Sequence, residues 1–274
     1  MPVPEFKLII SSMPATKHDP KKRWLNLMLI FILLAVISLW LVFTPPKLEG
    51  KFHAVGYAVC HQLDSHSYSL GGKVLPLCAR CSGTFLGVLI TLITLNSKTR
   101  RSGFPSRLKQ AVLLAFFLFF AIDGVNASLP LLGMTSLYPS SNLLRLISGL
   151  LFGITLANVV LPLWHQTLWI EPNPEPLFNR WRQLGLLLLL AAFAGILVVS
   201  DFAWLYYPIA LLSTASIILI LSMVYTLLWC ILLKKENSLH RFGDGTRIYI
   251  AGLITAIIQI GVMNLIRYLL SGSW

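Results

Sequence analysis

Three cysteines and a histidine with metal-ligand spacing stand out in residues 60–87, which read CHQLDSHSYSLGGKVLPLCARCSGTFLG. Cys78 and Cys81 have the CxxC spacing that allows two thiolates to bind one tetrahedral metal ion. Seventeen residues separate this pair from Cys60, which is followed directly by His61. Together these side chains form a Cys₃His ligand set, for which zinc is the expected metal.

Three alternatives remain open at this point. His66 could replace His61 as the fourth ligand, because adjacent Cys60 and His61 need a turn to face the same ion. A CxxC at a helix N-terminus, with Arg80 beside it, also favours a low-pKa thiolate and hence a thiol-disulfide oxidoreductase. The third alternative is a structural zinc or disulfide that only pins the loop. Cys230 lies near the opposite membrane face and cannot complete any of these sets.

The elements that must position these residues are strongly apolar. Apolar residues make up 56% of the chain and charged residues 12%, with a mean hydropathy of +0.76. These values predict an all-α integral membrane protein, a polytopic helical bundle in the lipid bilayer. The net charge of +12 comes from short basic clusters between apolar runs, without a nucleic-acid recognition motif, so we expect no nucleic-acid partner.

Hydropathy predicts about seven transmembrane helices. Their expected bounds are residues 24–43, 77–95, 110–128, 142–163, 184–199, 207–233 and 248–270. We expect a retained first helix instead of a signal peptide, because Thr44, Pro45 and Pro46 follow it. The chain then divides into a polar segment, a four-helix region with the Cys/His loop 44–76, a proline-rich connector and a three-helix region. These parts are residues 1–23, 24–163, 164–183 and 184–274.

The distribution of basic residues predicts the orientation in the cell membrane. One set of alternating loops, with the N-terminal segment, carries 16 Lys and Arg residues, and the other set carries 6. By the positive-inside rule, the N-terminus, the connector 164–183 and the other basic loops face the cytoplasm. The C-terminus and the Cys/His loop are therefore expected on the extracytoplasmic side.

Polar residues within the predicted helices converge on the same outer end. Arg145 is expected to pair with Asp123, because an unpaired charge at this depth is costly. Such a pair could be structural, or Arg145 could bind an anionic group while Asp123 orients it or acts as an acid or base. Close packing of the second and fourth helices is predicted by four glycines at GxxxG spacing: Gly83, Gly87, Gly149 and Gly153.

Taken together, these motifs resemble a known family of bacterial and archaeal membrane proteins, the domain of unknown function 2085. The residues that carry the resemblance are Cys60-His61-Gln62, Leu77 to Gly83, Gly87, Asp123-Gly124, Asn142-x-x-Arg145, Gly149 and Gly153. The resemblance implies that these positions form one unit, but it brings no established activity. After CHQ the chain reads LDSHSY, where the family pattern leads us to expect an arginine-containing run.

These observations lead to a hypothesis with two rivals. The protein is predicted to be a metal-assisted hydrolase or transferase that acts on an envelope lipid or another anionic substrate, with Asp123 and Arg145 as catalytic residues. The first rival is a membrane thiol-disulfide oxidoreductase that uses the CxxC. The second is a non-enzymatic metal transporter, or an accessory subunit with structural zinc.

Overall fold

The computed structural model describes residues 20–95 and 100–274, apart from the side chains of residues 20–23, 131 and 132. Residues 1–19 of the predicted polar segment 1–23 lie outside this description. The described chain contains eight α-helices: α1 Pro20–Phe43, α2 Lys47–Tyr57, α3 Ala79–Leu95, α4 Arg107–Ser128, α5 Asn142–Leu168, α6 Trp181–Val199, α7 Tyr206–Leu232 and α8 Thr246–Ser271.

Six helices within the described residues are long and apolar enough to cross a membrane: α1, α4, α5, α6, α7 and α8. The all-α class and the presence of membrane helices are therefore confirmed. Helix α3 is also apolar but has only 17 residues. The count of seven spans and the orientation of the termini stay predictions.

Helix α2 is the main difference from the expected fold, because residues 44–76 were predicted to be a polar loop. Its 11 residues include two glycines and three charged side chains, which give little apolar periodicity. Its second half is nevertheless buried, and Gly56 allows the helix to touch the chain before the CxxC. A Cβ atom at Gly56 would lie 2.2 Å from the carbonyl oxygen of Pro76. Helix α2 is thus part of the support for the cysteine segment.

The centre of the bundle is the contact between α3 and α5, the most extensive helix pair in the described chain. At Gly83, Gly87, Gly149 and Gly153, an added Cβ would lie 2.1–2.4 Å from a backbone oxygen of the facing helix. This is the close contact that the two GxxxG steps predict. It places the start of α3, which carries Cys81, beside the first turns of α5.

The loops gather at two opposite ends of the bundle. At one end, the hairpin of β1 (Ser69–Leu70) and β2 (Lys73–Val74) turns at two glycines with positive φ, and the Gly71 amide donates to Asp201 Oδ1 at 2.9 Å. At the other end, β3 (Arg101–Gly103) pairs in parallel with β4 (Asn173–Pro176) in the connector.

Candidate metal centre

The Cys60 turn is held in place by contacts from distant parts of the chain. Arg267 on α8 donates through Nη1 to the carbonyl oxygens of Tyr57 and Cys60, and its guanidinium lies 3.9 Å from the centre of the Tyr57 ring. Gln62 adopts a positive φ of 52° and donates through Nε2 to the carbonyl oxygens of His53, at 3.0 Å, and Pro76, at 2.7 Å. These bonds bring Cys60 back to the start of α3.

Three of the four predicted ligands meet at one point. The ligand atoms of Cys60, His61 and Cys78 all lie within 4.8 Å of one another. Cys60 and Cys78 are buried, Cys81 is partly buried and His61 is exposed. All three of these cysteines are free thiols in the structure. The cluster therefore has a protein-facing side made of sulfur and a solvent-facing side made of imidazole.

Hydrogen bonds around Cys60 favour its thiolate form. Its Sγ accepts from the backbone amides of Cys78, at 3.2 Å, and Gln62, at 3.5 Å. Hydrogen bonds from the thiols of Cys78 and then Cys81 are the largest causes that lower the pKa of Cys60, to about 2. The same hydrogen bond raises the pKa of Cys78 to about 11. One thiolate is thus stabilised by two neighbouring thiols, an arrangement that a cation could also neutralise.

His66, the alternative fourth ligand, connects the cluster to Arg145. Its Nε2 lies 3.2 Å from Arg145 Nη2, and its Nδ1 lies 3.0 Å from His61 Nε2. Burial and then the charge of Arg145 lower the pKa of His66, which favours its neutral ring. Because a guanidinium only donates, Nε2 of His66 accepts and its Nδ1–H donates to His61. An ion bound to Nε2 of His61 would replace this hydrogen bond.

The predicted pairing of Asp123 with Arg145 is wrong. Asp123 is fully buried and pairs with Arg80, whose Nε and Nη2 both donate to Oδ2, the former at 3.1 Å. Ser148 and Tyr138 also donate to this carboxylate, at 3.2 and 3.3 Å. The sequence also contains Arg80 near the outer end, and the packing of α3 and α4 against α5 brings this arginine to Asp123.

Arg145 instead has neutral partners. It donates to Asn142 Oδ1 at 2.8 Å and to Ser140 Oγ at 3.0 Å, in addition to His66. In the described part of the chain, no carboxylate lies within ion-pair distance of its guanidinium. Only 6% of the residue is exposed, so a nearly buried positive charge lies beside the Cys/His cluster without a carboxylate bound to it.

Sequence reasoning missed two residues that shape this site. No motif or spacing singled out Arg267, and Gln62 was singled out only as part of the CHQ motif. The sequence does show that Arg267 lies near the end of the last apolar run. A charged group at such a position needs partners at the membrane border, and this need was the available signal. No spacing rule identifies the carbonyls of Tyr57 and Cys60 as those partners.

The segment that carries the Cys/His cluster is similar to known proteins. Residues 60–159 match the family model of predicted membrane proteins, DUF2085. The family resemblance expected from the CHQ and LCARCSG motifs is thus confirmed. An uncharacterised protein of Methanocaldococcus jannaschii is 29% identical over 117 residues, which cover 43% of this chain and 70% of that protein. No solved structure matches the chain.

The DUF2085 segment contains the cysteines and histidines of the cluster, the Arg80–Asp123 pair, Arg145 and all four packing glycines. Helices α1, α2, α6, α7 and α8 lie outside it. Arg267 therefore supports the Cys60 turn from a part of the chain that the family model does not cover. Neither the family description nor the name of the archaeal relative specifies an activity.

Proposed function

We propose that this protein binds a zinc ion at the extracytoplasmic end of its bundle and uses it to hydrolyse, or transfer a group from, an anionic envelope substrate. Cys60, His61 and Cys78 are the central ligands, and Cys81 completes the coordination in the resting state. The observation that carries the proposal is the convergence of three ligand atoms within 4.8 Å, from residues 18 positions apart in sequence.

The nature of the donors supports zinc in particular. Thiolate and imidazole ligands in tetrahedral arrangement are typical of Zn²⁺, whereas Ca²⁺ and Mg²⁺ prefer oxygen. Cys60, His61 and Cys78 alone would leave a fourth position for water or substrate, as catalytic zinc sites do. Bound there, zinc would act as a Lewis acid and lower the pKa of a coordinated water.

Arg145 supports an anionic substrate. Its partners, Ser140, Asn142 and His66, are neutral, and no carboxylate of the described chain pairs with it. A guanidinium in this state is suited to bind a phosphate or carboxylate group. In the proposal Arg145 therefore holds the anionic group of the substrate, and Asp123 acts indirectly by fixing Arg80 at the start of α3.

Zinc analysis of the purified full-length protein tests this proposal. Elemental analysis should find about one zinc per chain in the wild type. Cys60→Ser and Cys78→Ser should abolish binding, and Cys81→Ser should weaken it. Cys230→Ser is the matched control, since Cys230 is equally buried but bonds to the carbonyl oxygen of Lys235 at the other end of the bundle. It should keep the full zinc content.

The thiol-disulfide alternative is favoured by one observation, the close approach of three free thiols. The same preparations separate the two functions, because thiol counting before and after reduction detects a reversible disulfide. A protein without zinc that forms a reversible Cys78–Cys81 disulfide would refute the metal centre. Equal zinc content in the Cys78→Ser and Cys230→Ser variants would also refute it.

A further inference from the structure

A polar cavity lies at the end of the bundle opposite the Cys/His cluster. Its volume is about 650 Å³, and it lies between β3, the end of β4 and the start of α6. The lining residues are Arg101, Glu175, Pro176, Asn179, Arg180, Arg182, Gln183 and Leu186. This cavity belongs to the basic end of the molecule, which the positive-inside rule assigns to the cytoplasm.

The charges in this cavity are unbalanced. Arg101 pairs with Glu175, with 3.3 Å between Nε and Oε2. Arg180 and Arg182 are exposed, and within the described chain neither guanidinium has a carboxylate within ion-pair distance. The cavity therefore presents two uncompensated positive charges, together with the polar side chains of Asn179 and Gln183.

The cavity opens onto the lipid-facing side of α6. Trp181, which is half exposed, lies between the two arginines in the chain and suits the border between headgroups and hydrocarbon. Below Arg182, the exposed apolar residues Leu186, Leu189, Phe193 and Ile196 follow at offsets of four, three, four and three. These offsets put all of them on one helix face. A molecule with an anionic head and apolar chains would match both the cavity and this face.

We infer that the cavity binds the headgroup of an anionic phospholipid, whose acyl chains lie along the exposed face of α6. Arg180 and Arg182 bind the phosphate, and Asn179 and Gln183 provide hydrogen bonds to the rest of the headgroup. Basic pockets at the cytoplasmic ends of membrane helices bind anionic lipids by these interactions. The site lies at the other end of the bundle from the proposed zinc centre and does not depend on it.

Native mass spectrometry of the detergent-solubilised full-length protein provides the test, with phosphatidylglycerol and phosphatidylcholine as probes. Both lipids carry a phosphate, but only the first has a net negative charge. The wild type should bind phosphatidylglycerol more tightly. The Arg180→Gln/Arg182→Gln variant should bind it about 30-fold more weakly, since each basic residue near the headgroup contributes about fivefold. Its affinity for phosphatidylcholine, whose choline group balances the charge of the phosphate, should fall much less, and an unchanged helical circular-dichroism spectrum shows that the fold is intact.

Lys234→Gln/Lys235→Gln is the matched control, because it removes two exposed positive charges from the same end without touching the cavity. This variant should keep the wild-type preference. An equal loss in both variants would show that the general positive field binds the lipid, and would overturn the assigned site. The lipid assignment would also be overturned if inorganic phosphate bound as tightly as phosphatidylglycerol, or if the arginine variant kept its preference.

Discussion

Two arginines near the cysteines have opposite electrostatic situations. Arg80 pairs with a fully buried carboxylate, whereas Arg145 has neutral partners and a neutral histidine between it and the cluster. The first arrangement is self-contained and holds α3, α4 and α5 together through Asp123 and Ser148. The second leaves a charge available for a ligand. The two arginines therefore call for different experiments.

Asp123→Asn should strongly destabilise the protein. The amide has nearly the same shape but removes the negative charge, so Arg80 keeps a mostly buried positive charge without compensation. Breaking one partner of a buried ion pair costs about 3–5 kcal/mol of unfolding free energy. Reversible unfolding of the purified protein in mixed micelles with increasing SDS measures this loss.

Asp64→Asn is the control for this substitution. Asp64 is exposed on the Cys/His loop, and in the described structure its carboxylate forms no ion pair. Its replacement should change the unfolding free energy by no more than about 0.5 kcal/mol. Similar stabilities for the two variants would mean that the Arg80–Asp123 pair contributes little.

At the level of elements, the α3–α5 contact determines where the chemical groups lie. Gly149 lies against the carbonyl oxygen of Arg80. In the chain, Arg80 stands between Cys78 and Cys81, and Gly149 follows Arg145 by about one helical turn. A larger side chain at this contact would push the cysteines away from the first turn of α5. The glycines thus link the packing of the bundle to the geometry of the candidate site.

Gly149→Ala should test this link. The added Cβ would lie 2.1 Å from a backbone oxygen, which cannot move as a flexible side chain could. We expect a loss of about 1–3 kcal/mol, as for other overpacked sites, measured by the same SDS unfolding. Gly185→Ala on α6 is the control, because no atom lies within 4 Å of its added Cβ. It should be neutral, or stabilise the helix by up to about 1 kcal/mol. Equal losses would contradict the close contact.

For the whole molecule, the two groups of loops define two chemically different ends. The end with the Cys/His cluster has few basic residues in its loops, and the opposite end has the β3–β4 pair and the arginine-lined cavity. This asymmetry is the basis of the predicted orientation. With the predicted orientation, the two proposed sites would lie on different sides of the membrane.

Single cysteines introduced at exposed serines can establish which end faces outward. Ser65→Cys lies on the Cys/His loop and Ser238→Cys on the basic end. A membrane-impermeant maleimide should label the first variant in intact cells and the second only after permeabilisation. The wild type, whose cysteines are buried or partly buried, provides the background. The reverse labelling pattern would invert the topology and place the Cys/His cluster in the cytoplasm.

The helices could be predicted from the sequence, because they depend on local properties, and the spacing of the cysteines and histidines indicated the cluster in which Cys60, His61 and Cys78 meet. Hydrophobic transfer free energy along a run determines where a membrane helix lies, and all predicted cores fall within observed helices. The ends differed by a few residues, as at α5, which continues to Leu168 instead of residue 163. The CxxC and the GxxxG steps are likewise local spacings.

The partners of the charged groups could not be predicted in this way. Whether Asp123 meets Arg80 or Arg145 depends on helix rotations and approach distances that no single segment contains. The same holds for helix α2, which is weakly apolar and is buried only because other parts of the chain cover it. Sequence alone therefore indicates which residues form the Cys/His cluster, while non-local packing determines that Asp123 pairs with Arg80 and that Arg145 has neutral partners.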